Sequence, residues 1–452
     1  MTWLLPLMLL PPAVAMLFSP GGRFFLVTAA GLFVFTPGHA DLTTKVAFVA
    51  LVLVSTVTSL LRLRNAQIVA DKSLVAASAA YGASLIVAAL VGWTDDIPAT
   101  LLKGLPYLLL LLLLPVAIDA GRGTSRQLLE TGMLAVGLIS ALSFMVFWLD
   151  RRHISTVALN QVFAASFLMP ALVFQWGIVT AVTASRTWVV RVPAMAAAAF
   201  IAVAFLITGT RTSIILVAGL LALVIWRSTK VRFLRVLMGL TAVGAIFLPL
   251  LNLFASVLLT RPDFVSSRIA SLLGILTYGS AADASWQARQ LSTQAAQIAL
   301  EGHWLFGTGL STPDPLLSSF DTPLSTVMRL GLVGTASAII FIVVALRYSI
   351  RGGNRSEQNK PAQGVIMGWL LIVVVLSTLL SPFDDSLFAF AFAAAVALGI
   401  NSQELDGAHE EAPSTLRHPH VAPHRTLSRA GLGHPDGPVR QIGNHAGILN
   451  PK

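Results

Sequence analysis

Five arginines stand where an apolar chain has least reason to keep them: Arg211, in the short turn of FLITGTRTSIILVAGLL, and Arg261, Arg268, Arg289 and Arg329, within or just after the stretch 255–324. A charged side chain at the end of a membrane span is expensive and is a functional hypothesis by default. Guanidinium forks pair with phosphate oxygens in bidentate fashion and never lose their charge. A di- or pyrophosphate at a membrane face would meet the needs of such a set. Simpler roles stay open for single members. Arg211 could snorkel to phospholipid headgroups, Arg268 and Arg289 could anchor the loop to them, and Arg289 could pair locally with Asp283.

Two groups able to accept a proton lie near these arginines in the chain. Asp321 sits in SSFDTPLSTVMRLGLVG, residues 318–334, and His303 in GHWLFGTGL, residues 302–310. Either could help a hydroxyl attack by taking its proton. Asp321 is equally placed to cap the helix that follows, because Thr322 and Pro323 suit a helix start. His303, the single histidine of 255–324, could be merely structural. The glycines of GTG permit close backbone approach. Gly331 and Gly334 open the next span with small residues that favour tight helix packing.

These groups must be positioned by membrane helices. Of 452 residues, 56% are hydrophobic and 11% charged, against about 25% charged in soluble domains. The composition implies an all-α, polytopic integral membrane bundle without a separate soluble catalytic domain. Zero cysteines exclude disulfides, iron–sulfur clusters and thiol catalysis. No GxxxxGK[ST], GxGxxG or HExxH motif occurs, which argues against an ATP-driven pump acting alone. Nucleic acid is a poor partner for the net charge of +10, since no basic soluble domain presents it. The first 19 residues lack a charged start and contain Pro6, Pro11 and Pro12, so no cleavable signal peptide is expected.

Apolar runs fall at 3–19, 22–38, 44–61, 74–92, 100–118, 127–148, 158–183, 190–209, 211–227, 232–254, 325–347, 364–380 and 383–400. They predict 12 or 13 transmembrane helices, the first in doubt because its prolines break helices. Alternate loops are basic: Arg62/Arg64/Lys72, Arg122/Arg126, Arg186/Arg191, Arg227 to Arg235 and Arg347 to Lys360 share one side, expected to be cytoplasmic. Arg151 and Arg152 depart mildly from the pattern. The other side receives Asp95/Asp96, the turn with Asp384 and Asp385, and the long loop 255–324. Within that loop, 284–304 predicts an amphipathic helix on the bilayer or the bundle, with Trp286, Leu291, Ile298 and Leu300 apolar and Asp283 as its cap. The tail from 401 carries six of the nine histidines and equal numbers of acidic and basic residues. Disorder is expected there, with no preorganised metal site.

The order of these pieces resembles the O-antigen ligase and Wzy polymerase superfamily. ITGTRTS matches its SR-type turn, with Thr210 in place of Ser. DASWQAR followed by HWLFGTGL matches its arginine-bearing periplasmic loop and h-P-L-x-G-x-G-like element, and FDTPLSTVMRLGLVG its final segment leading into GLxG. The resemblance covers about residues 190–400. It divides the chain into N-terminal helices 1–189, a ligase/polymerase-like region 190–400 that includes loop 255–324, and a disordered cytoplasmic tail 401–452.

The resemblance implies a metal-independent and cofactor-free glycosyltransferase in the bacterial inner membrane. An undecaprenyl-diphosphate-linked oligosaccharide is the implied donor, and a glycan or lipid hydroxyl the acceptor. Membrane lipids, a flippase and a chain-length regulator are the implied partners. Arg211, Arg268 and Arg289 fall on the arginines that grip the diphosphate. Where ligases carry a histidine, this chain has Phe320 and Asp321, which is closer to the polymerase pattern and makes Asp321 the implied base, with His303 as the other candidate. Trp304, Asp384 and Asp385 could face sugar. A ligase is the near alternative. A secondary transporter or lipid flippase is the alternative of another class, although no repeat relates the two halves. A purely structural scaffold would leave the outer arginines unexplained.

Overall fold

The computed structural model describes residues 15–35, 42–65, 71–92, 97–150, 168–182, 188–208, 284–310, 322, 324–351 and 387–410, with a few isolated positions between 366 and 383. Among them no strand occurs. The longer helices in chain order are α1 (Pro20–Val34), α2 (Leu42–Asn65), α3 (Lys72–Val91), α4 (Ile97–Gly123), α5 (Arg126–Asp150), α6 (Leu168–Val182), α7 (Trp188–Thr208), α8 (Ala284–Leu300), α9 (Ser325–Arg351) and α10 (Phe388–Glu410). Five apolar stretches among the described residues are long enough to cross a bilayer: Thr43–Asn65, Lys72–Val91, Lys103–Gly123, Trp188–Phe205 and Ser325–Ile350. The protein is an all-α, multi-pass membrane bundle. The predicted spans 211–227 and 232–254, and most of 3–19 and 364–380, lie outside the described residues.

The centre of the bundle is α10. Every residue from Phe388 to Leu398 is buried, as expected of a helix that is apolar all round. Its FAFAFAAAVALG sequence alternates a large with a small side chain, and the neighbouring helices fill the gaps. Phe390 meets Phe35 and Phe48, Phe392 meets Phe341 and Trp369, and Gly121 of α4 lies against Ala397 and Ile400. The helix runs to Glu410, which corrects the expectation of disorder from residue 401. An apolar run marks where a span leaves lipid, not where a helix must end, and Gln403, Glu404 and Leu405 are good helix formers.

α3 and α9 form a close pair. Tyr81 stacks on Phe341 at 5.2 Å between ring centroids, and the hydroxyls of Ser84 and Ser337 hydrogen-bond at 2.9 Å. Tyr81 also donates to the Tyr107 carbonyl of α4 at 3.0 Å. Two prolines, Pro106 and Pro115, lie inside α4. One residue from the carbonyl that Pro115 leaves without its helical donor, Leu112 O accepts from Thr56 Oγ1 at 2.8 Å.

Of the basic loops expected to share a side, those at Arg62, at Arg122 and at the end of α9 do so. Ser19 caps α1 through Gly22 N–H at 2.9 Å. Four residues into that helix, the buried Arg23 pairs with the buried Asp119 of α4 and donates to Leu17 O at 2.6 Å. Ser59 donates to the same Asp119 oxygen at 3.2 Å, and Arg62 stands 3.7 Å from the other. Arg122 donates to Tyr348 OH at 2.7 Å. The starts of α1 and α5 and the ends of α2, α4, α9 and the buried part of α10 therefore meet at one end of the bundle. The Arg23–Asp119 pair is legible only in retrospect, as an acidic residue following the leucine run of α4 and a basic one opening α1.

Removing one partner of a buried ion pair leaves the other charge uncompensated, which destabilises by about 3–5 kcal/mol, whereas apolar replacement of both is often neutral. Asp119→Ala should therefore lower the unfolding midpoint of the purified protein sharply. The double variant Arg23→Met/Asp119→Leu should recover most of the loss, as followed by thermal unfolding in detergent.

Candidate functional site

The opposite end of the bundle holds the segment 284–310. α8 begins at Ala284, directly after the expected cap Asp283. Its inner face is Ser292, Ala296 and Leu300, buried, with Ala295 and Ala299 beside them. This i, i+4, i+8 stripe packs on Leu324, Val327 and Met328 at the start of α9. The residues expected to be apolar on this helix divide between two faces. Leu300 packs inward, but Leu291 and Ile298 point outward at 63% and 68% exposure, among Gln287, Gln290, Gln294 and Gln297. Alanine, not the larger residues, makes the seam because α8 lies close against its neighbour.

The helix ends at Leu300, short of the expected 304. Glu301 N–H bonds Ile298 O at 3.1 Å and His303 N–H bonds Leu300 O at 2.8 Å, and Gly302 between them takes φ 80°, the left-handed residue of a helix stop. His303 is exposed, with Nδ1 3.1 Å from Glu301 O. With the proton on Nδ1, that contact is a donated hydrogen bond and leaves Nε2 as an acceptor.

Beyond His303 the turn enters a break in α9. Gly331 has φ 68° and ψ 178°, outside helical space and open essentially to glycine alone. The break removes helical partners from the groups around it, and the turn supplies replacements. Leu332 N–H donates to Trp304 O at 2.8 Å and Val333 N–H to Leu305 O at 3.2 Å. In return, Met328 O accepts from Thr308 N–H at 2.7 Å and from Thr308 Oγ1 at 3.1 Å. The next bond, Leu310 N–H to Ala88 O at 3.3 Å, joins the turn to the end of α3.

Glycine is obligatory at these crossings. A Cβ on Gly307, φ 72°, would stand 2.6 Å from Gly331 N and from Met328 O. One on Gly309, φ 86°, would fall on Gly92, the residue that ends α3. The close approach expected of GTG and of Gly331 is what the structure contains: the two glycine elements interlock. The GTG backbone is thereby occupied by protein.

The start of α9 adds a buried hydroxyl group that sequence inspection passed over. Thr322 N–H donates to Ser325 Oγ at 3.3 Å, Ser325 N–H to Thr322 O at 3.1 Å, and Thr326 Oγ1 bonds Ser381 Oγ. Ser381 therefore meets the start of α9 at this end. The run TPLST was a visible signal, but hydroxyls are too common for it to stand out.

Of the expected site residues, His303 is fully described and exposed on the turn. Arg289 lies on α8, its side chain outside the described residues. Arg211, Arg268 and Asp321 lie outside them as well, together with Arg261, Asp384 and Asp385. Arg329 is half-buried in the helical turn before the break. No cluster able to hold a metal occurs among the described residues. No protein-family model matches the chain, and no curated protein matches its sequence.

The interlock makes two glycines of equal φ unequal in cost. Gly302 has open space around it, so Gly302→Ala should cost about 1–2 kcal/mol from its left-handed backbone alone. Gly309→Ala adds a backbone clash and should lower the unfolding midpoint far more in the same detergent assay.

Proposed function

We propose that the protein is a membrane glycosyltransferase that moves an undecaprenyl-diphosphate-linked glycan onto an acceptor hydroxyl at the periplasmic face of the bacterial inner membrane, as a polysaccharide polymerase. The observation that supports this reading is the interlock. HWLFGTGL and RLGLVG, each only loosely like its counterpart in the O-antigen ligase and Wzy superfamily, form one hydrogen-bonded unit at the end of the bundle away from Arg62 and Arg122.

In this reading Arg211, Arg268 and Arg289 hold the diphosphate. The bond between the sugar anomeric carbon and the diphosphate oxygen breaks as the acceptor oxygen bonds to that carbon. The lipid diphosphate leaves with the electron pair, and the arginines stabilise its charge. The acceptor proton passes to Asp321, or to Nε2 of His303, which the contact with Glu301 O leaves able to accept. Neither nucleotide nor metal enters the balance. Polymerase is preferred to ligase because Phe320 and Asp321 stand where ligases carry histidine.

Deleting the gene and analysing surface glycans tests the reading. Loss of long chains with single-repeat products retained is expected. Long lipid-linked chains that never reach their acceptor would instead mark a ligase. Unchanged glycans with a solute uptake or export defect would overturn glycosyl transfer in favour of transport. In the complemented strain, Asp321→Asn and Arg211→Ala should abolish polymer. Arg289→Ala should lower it about 100-fold, as loss of one charge-stabilising donor does. Wild-type glycans from Asp321→Asn would reduce Asp321 to a helix cap.

A further inference from the structure

The turn that fills the α9 break directs three consecutive large side chains outward: Trp304, Leu305 and Phe306 are 41%, 60% and 51% exposed. Below it, α9 exposes Leu332, Val333, Ile339, Ile340 and Val343, which fall on one helical face of a segment long and apolar enough to span a bilayer. That face is a lipid-facing flank. The bonds from Leu332 N–H to Trp304 O and from Val333 N–H to Leu305 O fix the turn to the first two residues of the flank. The exposed apolar surface therefore continues from the span into the turn. Immediately before it come Glu301 and His303, exposed and polar, so polarity changes within a few residues, as at a membrane–water boundary. Tryptophan is enriched at that level.

We propose that Trp304, Leu305 and Phe306 seat in the headgroup–acyl boundary of the bilayer and anchor the end of α8, with His303, at headgroup depth. The occupant of this surface is lipid. Continuity with the lipid-facing flank of α9 decides against a second protein. The anchor does not depend on the glycosyl-transfer reading. If that reading also holds, the anchor keeps the α8 segment at the depth where a lipid-linked diphosphate lies.

The sequence contains no cysteine, so single nitroxide labels can be placed without background. Leu305→Cys and Phe306→Cys would each be labelled in the full chain, reconstituted in vesicles of phosphatidylethanolamine and phosphatidylglycerol, with Ile340→Cys as the lipid reference and free label as the water reference. Collision rates with oxygen, which concentrates in lipid, are compared with those of a water-soluble nickel chelate. At both sites the oxygen-to-nickel ratio should exceed that of free label several-fold and approach the ratio at Ile340. A water-like ratio at either site overturns the anchor. Both side chains are mostly exposed, so neither substitution empties a core, and each is read only in protein that keeps the elution profile of the unsubstituted chain. Glycan products are scored separately, so failure of the anchor and failure of the enzyme reading are distinguishable.

Discussion

A bilayer offers no water to a backbone group that has lost its helical partner, so irregular structure at membrane depth must be satisfied by protein. The break in α9 is the place where this constraint acts most strongly. Gly331 removes the chain from helical space, and Trp304 O, Leu305 O and Thr308 supply the partners that the helix withdraws. The glycines follow from that exchange. Backbones close enough to hydrogen-bond across the break leave no volume for a Cβ at Gly307 or Gly331, nor at Gly309, where the turn continues onto Gly92. One requirement thus joins α3, α9 and the end of α8 into a single frame.

The two ends of the bundle handle charge differently. At one, Asp119 receives Arg23 from α1 and stands within reach of Ser59 and Arg62 of α2, tying three helices at a point where a lone charge would be costly. The described part of the other end is framed by glycine, hydroxyl and aromatic residues.

The membrane class, the placement of the described helices and the shared side of the basic residues at Arg62, Arg122 and the end of α9 were legible in the sequence, because hydropathy and charge act over long windows that need no tertiary information. The packing was legible only where a residue type has one strong reason to be present, as with the glycines of GTG and Gly331. What could not be read was pairing. Arg23 and Asp119 are separated by 96 positions and carry no mutual signal. Nor was the inward face of α8 legible, because close approach to Met328 selects alanine there rather than a large apolar residue. The end of α10 was missed because an apolar run reports lipid contact and is silent about where a helix stops.

The position of the break also bears on the choice between transfer and transport. Transporters use interrupted helices near mid-bilayer, where unwound carbonyls and amides remain open to coordinate the solute. In α9 only Ser325 to Leu330 precede the interruption, so it lies at the end of the span. The freed groups are already taken: Met328 O by both donors of Thr308, Leu332 N–H by Trp304 O and Val333 N–H by Leu305 O. A break whose backbone is satisfied in this way does not offer an ion site. It builds a rigid rim, and the groups left to act there are side chains carried on that rim and on the segments next to it, His303 on the turn and Arg289 on the helix before it.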